Sequence, residues 1–500
     1  MNRLVDSATS MTATNTKVSF KADLKASGRV ILLGLDFGST TSSALVASAK
    51  IVSSATSGRM QLDDVSIIYK SEPVFTPFIN QSIDTAKLSA VISTWLKQSG
   101  VEASRIFSGG SMITGLAAQS DNAAALSMLI TNIVGESVIA TVDDPCLESW
   151  LAFMGSCSAL SRFHASTPIV NVDIGGGTTN IALGINGDVQ ATGCYFIGAR
   201  HFQFVPGGYQ LTAISSYGTA LLESLNIGKQ VGETLNADEC DKIIAFYINA
   251  LEAIITGEAT FFTTPIAKKH MQVGINLKPF MFKQASKPTI TFSGGVGELL
   301  YKISAEETLP STTIYGDFGI DLALAISTST VLSANLKTCI PDNKGRATVV
   351  GITLHSTEIS GNTIYVQHPH CLPQRDVLII AKLTTDSTIE QWASAFTLAA
   401  KRQDGACIQM LAADYSLAQV RTLASQVKHA LQSSQYLPSQ LIIILVEANI
   451  GKTLGNYISD WGQLDYNLIV IDEVALRDAH FVRIGRLHQG MIPVSFYGFN

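Results

Sequence analysis

The chain has little of what metal-cluster and nucleic-acid-binding proteins need. Its seven cysteines stand singly among 500 residues, with no C-x-x-C spacing. An odd, unclustered set of thiols is typical of a reducing cytosol and provides no zinc or iron–sulfur pattern. Charged residues make up only 15% of the chain, and no cluster of lysine and arginine is interleaved with aromatic residues. We therefore expect neither a cysteine-bound metal nor a nucleic-acid partner.

Three further patterns are missing. No apolar run approaches the roughly 18 residues that span a bilayer, and residues 1–28 lack the apolar core of a secretory signal. The nine histidines have no metal-ligand spacing, and we interpret His368 and His370, which flank a proline, as part of a surface turn. Gly451-Lys452-Thr453 is not a P-loop, because valine stands at 446 where that motif has its first glycine. We expect a soluble, cytoplasmic protein without a membrane partner.

What the chain does contain is one motif twice. Asp36-Phe37-Gly38-Ser39-Thr40-Thr41 and Asp173-Ile174-Gly175-Gly176-Gly177-Thr178 share the pattern Asp-x-Gly-x-x-Thr. Each copy follows an apolar run and precedes a second strand-like run, so each predicts a β-hairpin with an acid at the end of its first strand. Glycine lets backbone N–H groups approach phosphate oxygens, and the hydroxyl groups add donors. Two such hairpins predict a phosphate clamp.

The residue types suggest a role for each position of the clamp. Asp36 and Asp173 are predicted to position Mg²⁺, mainly through water, because Mg²⁺ prefers oxygen ligands and keeps much of its hydration. A single copy of the motif would favour a turn-capping carboxylate, whereas the paired occurrence favours the metal and phosphate interpretation. Phosphate contacts are assigned to Gly38, Ser39, Thr40, Thr41, Gly175, Gly176, Gly177 and Thr178.

A third glycine-rich turn follows the strand-like segment Thr289–Phe292. There, Ser293-Gly294-Gly295-Val296-Gly297 joins the strand to the start of a predicted helix. Such a junction offers backbone amides to an anion or a nucleotide. The alternative is that the glycines only shape a tight strand–helix turn.

Two acids stand at the start of a helix that is predicted to begin at Pro145. Hydrolysis of a γ-phosphate needs a group that orients water, since phosphoryl transfer depends mostly on positioning and charge stabilisation. Asp144 and Glu148 are both candidates for this catalytic role. Asp144 before proline is equally a good N-cap, and a glutamate in the first helical turn is ordinary helix chemistry. The sequence leaves these alternatives open.

The length exceeds what one hydrophobic core usually serves, so we expect several units. Beyond Pro341, strand-like and helical segments alternate, which predicts a small parallel α/β layer. Thr348–Leu354 and Thr363–Val366 are predicted to form a hairpin at its start. The predicted units are a flexible tail (1–28), a motif-bearing domain (29–335, with lobes of about 29–167 and 168–335) and a C-terminal α/β domain (345–500).

The order of the three glycine motifs resembles the actin-like ATPase superfamily, in which they bind the first phosphate, the second phosphate and adenosine. That superfamily includes sugar kinases, the large heat-shock chaperones, actin and the reactivases of cobalamin enzymes. The resemblance implies a two-lobed α/β fold of the actin-like, ribonuclease H-like type with ATP in the cleft. It also implies that Gly294, Gly295 and Gly297 contact adenosine.

Within this superfamily the chain looks most like the ethanolamine ammonia-lyase reactivating factors, from about Val30 to the C-terminus. The similarity implies a weak, Mg²⁺-dependent ATPase that acts as a chaperone-like factor on ethanolamine ammonia-lyase. It would release damaged cobalamin so that adenosylcobalamin can rebind. Leu116 and Gln119 depart from the acid and the lysine expected there. The matching stretches are Ile113-Thr114-Gly115, Pro145–Ser149, Asn171–Thr178, Ser293–Glu298, Gly451–Gly455, Ile471–Val474, Ile484-Gly485 and Ile492–Val494.

Two other functions remain compatible with the motifs alone. A small-molecule kinase would use Asp173 as general base toward a hydroxyl group, and a filament-forming or non-hydrolysing actin relative would assemble without turnover. The C-terminal matches disfavour both. The sequence leaves open a homo-oligomeric state, and whether the N-terminal tail directs packaging into a bacterial microcompartment.

Overall fold

The structure is a computed structural model. It describes residues 29–54, 59–79, 82–114, 122–135, 138–142, 144–283, 288–361, 363–384, 386–411, 415–434, 436–475 and 477–499. The predicted tail and the departures at Leu116 and Gln119 lie outside these residues.

The first lobe is built around strand β1 (Arg29–Phe37), an almost wholly apolar segment that is buried along most of its length. In its sheet, in the order β3-β2-β1-β7-β8, the first three strands are antiparallel, and β7 and β8 run parallel to β1. A strand covered on both faces is expected to be apolar throughout. The other elements are β2 (Thr41–Ser53), β3 (Met60–Lys70), β4 (Val74–Phe75), β5 (Phe78–Ile79), β6 (Ser82–Ile83), α1 (Thr85–Ser99), β7 (Ile106–Ile113), α2 (Ala123–Val134), β8 (Val138–Val142), α3 (Pro145–Ser156) and α4 (Ser158–Phe163).

The second lobe repeats the core of this arrangement. Its sheet has the order β14-β11-β10-β9-β15, with β9, β10 and β11 antiparallel and β15 parallel to β9. The two hairpins predicted around the Asp-x-Gly-x-x-Thr motifs are confirmed. The elements are β9 (Ile169–Ile174), β10 (Thr179–Ile185), β11 (Asp188–Tyr195), β12 (Phe202–Phe204), β13 (Leu211–Ile214), α5 (Ser216–Ser224), α6 (Ala237–Thr256), α7 (Pro265–Lys269), β14 (Met271–Val273), α8 (Lys278–Lys283), β15 (Thr289–Ser293), α9 (Gly294–Ser304) and α10 (Gly319–Thr328).

The duplicated sheets form a two-lobed α/β fold. In each lobe, a meander of three antiparallel strands has a parallel strand beside its first strand. Each Asp-x-Gly-x-x-Thr motif occupies the turn between the first two strands of its meander. This is the actin-like, ribonuclease H-like architecture that the resemblance implied.

Helix α11 (Ala347–Leu354) returns the chain to the first lobe. It packs so closely on β1 that a Cβ atom at Gly34 would lie 2.0 Å from Oγ1 of Thr353. The predicted hairpin of 348–354 with 363–366 is therefore wrong. Its valine, isoleucine and threonine residues favour strands, but burial between the sheet and α3 overrides that weak preference. We propose that the motif-bearing domain continues through α11.

The last part of the described chain, from Glu358 onward, contains an eight-stranded sheet in the order β16-β23-β22-β18-β19-β20-β21-β17. Strands β18 to β21 are parallel, which confirms the predicted parallel layer. Within the described part of the chain, no helix combines the length and hydropathy needed to cross a bilayer. The elements are β16 (Glu358–Ser360), β17 (Tyr365–Val366), β18 (Gln374–Thr384), α12 (Ile389–Ala399), β19 (Ala406–Leu411), α13 (Leu417–Ser433), β20 (Leu441–Val446), α14 (Gly451–Ile458), β21 (Asn467–Ile471), β22 (Ala479–Ile484) and β23 (Ile492–Phe499).

Candidate functional site

A cavity of about 430 Å³ lies between the two lobes, where the three glycine motifs meet. These motifs are distant in the chain, and only the fold brings them together. Every predicted site residue except Asp144 and Gly297 lines the cavity. The lining residues among them are Asp36, Gly38, Ser39, Thr40, Thr41, Glu148, Asp173, Gly175, Gly176, Gly177, Thr178, Gly294 and Gly295.

The first motif forms the tight turn between β1 and β2. The backbone N–H of Gly38 donates to the carbonyl of Thr41 at 3.0 Å, which closes the turn. Thr76 holds the turn from the side, because its Oγ1 donates to the Gly38 carbonyl at 2.7 Å. The turn is thus shaped by its own backbone and by one neighbouring loop.

The second motif forms the corresponding turn between β9 and β10. The N–H of Gly175 donates to the carbonyl of Thr178 at 2.9 Å, as in the first copy. The carbonyls of Gly175 and Gly176 accept from the N–H groups of Ala199 and Arg200 at 3.1 and 2.6 Å. The segment after β11 therefore braces this turn.

The two turns touch across the cleft. A Cβ atom at Gly176 would lie 2.0 Å from Oγ1 of Thr40, so only glycine allows this approach. Oγ1 of Thr40 is buried and has no hydrogen-bond partner among the described residues. The closeness places two sets of phosphate-binding candidates around one space.

The third motif caps the cavity at the junction of β15 and α9. Gly294 has φ of +79°, and its missing Cβ would collide with the carbonyl oxygen of Ile174 at 2.5 Å. No described atom lies within 4 Å of a Cβ built at Gly295, which lines the cavity. Gly297 instead faces Phe292, whose carbonyl carbon would be 3.0 Å from an added Cβ. Glycine at position 297 therefore allows α9 to pack closely against the end of β15.

Both motif carboxyl groups lie in the same cleft, where Asp173 is buried and Asp36 is partly buried. Burial raises the pKa of Asp36 to about 7, and repulsion by Asp173 adds to the shift. Oδ1 of Asp36 is buried without a hydrogen-bond partner among the described residues. Burial also raises the pKa of Asp173, to about 6, and a hydrogen bond from Ser293 opposes that shift. Two buried acids with weakened ionisation favour a positively charged ligand between them.

The structure separates the two candidates for positioning water. Glu148, in the first turn of α3, is buried and lines the cavity. Asp144 accepts from the N–H of Leu147 at 3.0 Å and from the N–H of Gly498 at 2.6 Å. Its carboxylate therefore caps α3 and ties it to β23. The geometry supports Glu148 for the catalytic role and a structural role for Asp144.

Several lining residues were not predicted from the sequence. Arg346, at the start of α11, lines the cavity and donates to the carbonyl of Ser71. Phe75 and Tyr315 are exposed aromatic residues of the lining. The guanidinium group of Arg200 stacks over the Phe75 ring at 5.8 Å, across the two lobes. The only sequence signal for Arg346 was the Gly-Arg pair before an apolar stretch, which is too common to be specific.

The family model and the two curated relatives identify one family. The family model described as "Ethanolamine utilisation protein EutA" matches residues 28–497. The chain is similar to the ethanolamine ammonia-lyase reactivase EutA of Salmonella typhimurium, with 26% identity over 93% of this chain and 97% of the relative. It is 25% identical to the protein of that name from Escherichia coli, over the same shares of the two chains. A solved structure, the ethanolamine utilization protein EutJ of Carboxydothermus hydrogenoformans, has 14% identity and a TM-score of 0.29 over 65% of this chain and 89% of that one.

Proposed function

The chain belongs to the EutA family of ethanolamine utilisation proteins, and from this premise we propose that it is an ATP-dependent reactivating factor of ethanolamine ammonia-lyase. It would release damaged cobalamin from that enzyme, so that intact adenosylcobalamin can bind. The names of its full-length relatives support the reactivating role. The observation that carries the ATP dependence is the single cavity in which both Asp-x-Gly-x-x-Thr turns and the β15–α9 glycine turn meet.

The residues around the cavity fit a nucleotide with Mg²⁺. Oδ1 of Asp36 is a buried acceptor without a partner in the described part of the chain, and Asp173 lies near enough to repel it. Among the described residues, no group of three or more histidine, cysteine or acidic side chains could hold a metal ion alone. Asp36 and Asp173 would therefore hold Mg²⁺ mainly through water, as this ion prefers. When bound, the ion neutralises charge on the transferred phosphoryl group.

The remaining lining residues divide the work of binding and orientation. The two glycine turns would hold the phosphates through backbone N–H groups and the hydroxyls of Ser39, Thr40 and Thr178. Gly294 and Gly295 would contact adenosine. Glu148, which lines the cavity, would orient the attacking water. Such a site supports slow ATP hydrolysis.

Helix α3 connects the cavity to the C-terminal domain. Glu148 faces the cavity, and Asp144 accepts a hydrogen bond from Gly498 in β23. Trp150 also stacks on Phe499, with ring centroids 6.4 Å apart. A shift of α3 between nucleotide states would reach that domain. The shift drives reactivation only if the two states bind the lyase with different affinities.

The test uses ethanolamine ammonia-lyase inactivated with cyanocobalamin. The protein is added with ATP, Mg²⁺ and adenosylcobalamin, and ammonia release and the spectrum of freed cobalamin are recorded. We expect recovery that requires ATP. Asp173→Ala and Thr178→Ala should abolish recovery while the protein stays folded by circular dichroism. The exposed residues Asp188 and Thr338, each changed to alanine, are matched controls that should recover fully.

Normal recovery with both cavity variants would refute the site assignment. ATP hydrolysis without any recovery would point to another client. ADP formation that depends on a small hydroxylated substrate would indicate a kinase, and assembly detected by light scattering would indicate a filament-forming protein.

A further inference from the structure

A buried chain of hydrogen bonds runs from Asp173 into the second lobe. Oγ of Ser293 donates to Oδ2 of Asp173 at 2.5 Å, and Nδ2 of Asn171 donates to that Oγ at 2.8 Å. At the far end, Oδ1 of Asn171 accepts from Oγ1 of Thr291 at 3.2 Å and from Sγ of Cys157 at 3.5 Å. The four residues beyond Asp173 are at most 1% exposed. The network therefore lies inside the protein.

The hydrogen bonds run in one consistent direction along the chain. Thr291 and Cys157 donate to the oxygen of the Asn171 amide, so its NH₂ group faces Ser293. Oγ of Ser293 accepts that bond, which leaves its single proton for Asp173. An ionised carboxylate only accepts, so each donor has an acceptor. Oδ2 of Asp173 is thereby fixed, and Oδ1 remains for the cavity.

The corresponding place in the first lobe is apolar. Ser293 lies opposite Asp173 in the parallel pairing of β15 with β9, whereas Met112 lies opposite Asp36 in the pairing of β7 with β1. Ser111 is also buried, but its Oγ has no hydrogen-bond partner among the described residues. The bond to Asp173 is thus a feature of the second lobe and not a requirement of the motif.

We propose that Ser293 and Asn171 are positioning residues that fix the orientation of the Asp173 carboxylate toward the cavity. The inference rests on the proposed ATPase function, because the orientation matters only if Asp173 serves a bound nucleotide. A carboxylate held in one rotamer retains the geometry of the reacting groups, whereas a rotating one loses it. Displacement of a positioning group lowers the turnover rate by roughly 10- to 100-fold.

The experiment measures ATP hydrolysis and ATP affinity for a set of matched variants. Ser293→Ala and Asn171→Ala should lower kcat, with little change in the dissociation constant for ATP. Ser293→Thr keeps the hydroxyl and should restore most of kcat. Ser111→Ala makes the same deletion at a buried hydroxyl that has no hydrogen-bond partner within the described ranges, and it should leave kcat unchanged. Adding Asn171→Ala to Ser293→Ala should lower kcat little further, because the effects of two residues that act through the same hydrogen bond are not additive.

Crystal structures of the wild type and Ser293→Ala, both without nucleotide, give a readout that does not need activity. We expect the carboxylate of Asp173 to turn or to occupy two positions in the variant. The positioning role would be overturned if the effects of Ser293→Ala and Asn171→Ala on kcat were additive. It would also be overturned if Ser293→Ala left both the Asp173 carboxylate and kcat unchanged. If the wild type hydrolyses no ATP but the Asp173 carboxylate still turns in Ser293→Ala, the proposed ATPase function is overturned. The hydrogen bonds from Ser293 and Asn171 would then orient Asp173 without serving ATP hydrolysis.

Discussion

The two copies of the Asp-x-Gly-x-x-Thr turn share a sequence pattern and differ in their surroundings. Asp173 accepts a hydrogen bond from Ser293 on the neighbouring strand, whereas Asp36 lies opposite Met112 and has an oxygen without a partner among the described residues. The segment that contains Ala199 braces the second turn. The difference lies in the adjacent strands and loops and not in the motif. One oxygen of Asp173 is held by a strand of its own lobe, whereas the buried oxygen of Asp36 has no partner among the described residues and remains an acceptor for a ligand.

The strongest test of this comparison concerns Glu148, an acid that belongs to neither copy of the motif. Glu148 lines the cavity between them, so Glu148→Gln should lower kcat for ATP hydrolysis by roughly 100-fold or more if it positions water. Asp144→Ala should mainly remove a helix cap, at a cost of about 1 kcal/mol in the free energy of unfolding. Steady-state ATPase kinetics and urea unfolding measure the two effects. Equal losses of kcat in both variants would contradict the assignment.

A smaller effect is expected where the copies touch. In Gly176→Ala the new methyl group would meet Thr40 of the first copy at 2.0 Å, whereas in Gly175→Ala the nearest atom is 3.6 Å away. We expect roughly a 10-fold loss of kcat/KM and about 1–3 kcal/mol of overpacking for the first variant, and much less for the second. Adding Thr40→Ala to Gly176→Ala should recover part of the lost stability. If the double variant is no more stable than Gly176→Ala alone, the contact with Thr40 is not the cause of the lost stability.

A further effect concerns pH, and it separates the two acids. Without nucleotide or metal, burial raises the pKa values of Asp36 and Asp173 to about 7 and about 6. The unfolded chain loses these protons near pH 4, as ordinary aspartates do. Between about pH 4 and these folded-state pKa values, the folded protein binds more protons than the unfolded chain. The free energy of unfolding therefore falls as pH rises, by up to about 1.4 kcal/mol per pH unit for each acid.

Urea unfolding over a range of pH values measures this slope. Asp36→Asn should remove the dependence of stability on pH between about pH 6 and about pH 7, the pKa values of Asp173 and Asp36 in the folded protein. Asp173→Asn should keep a dependence on pH that is shifted to lower pH, because this variant removes the repulsion that raises the pKa of Asp36. Identical profiles for both variants would show that the two carboxyl groups do not differ. That result would remove the electrostatic part of the comparison.

Much of the architecture could be predicted from local patterns. The hairpins around Asp36 and Asp173 follow from apolar runs broken by glycine, and the parallel layer of the C-terminal domain follows from alternating strand-like and helical segments. Helix α11 could not be predicted in this way, because its β-branched residues favour a strand in isolation. Its helical form depends on burial against β1 and α3, which local preferences do not describe.

The residue types alone specify which chemical groups are available: two repeated acids, their glycine turns, a third glycine turn and two acids at one helix start. Which of these groups meet depends on tertiary packing. It placed Glu148 in the cavity and bound Asp144 to Gly498, although both belong to the same helix start. It also set Ser293 beside Asp173 and Met112 beside Asp36. The reason is physical: the environment of a side chain depends on strands and helices that are distant in sequence, and no local spacing encodes their register.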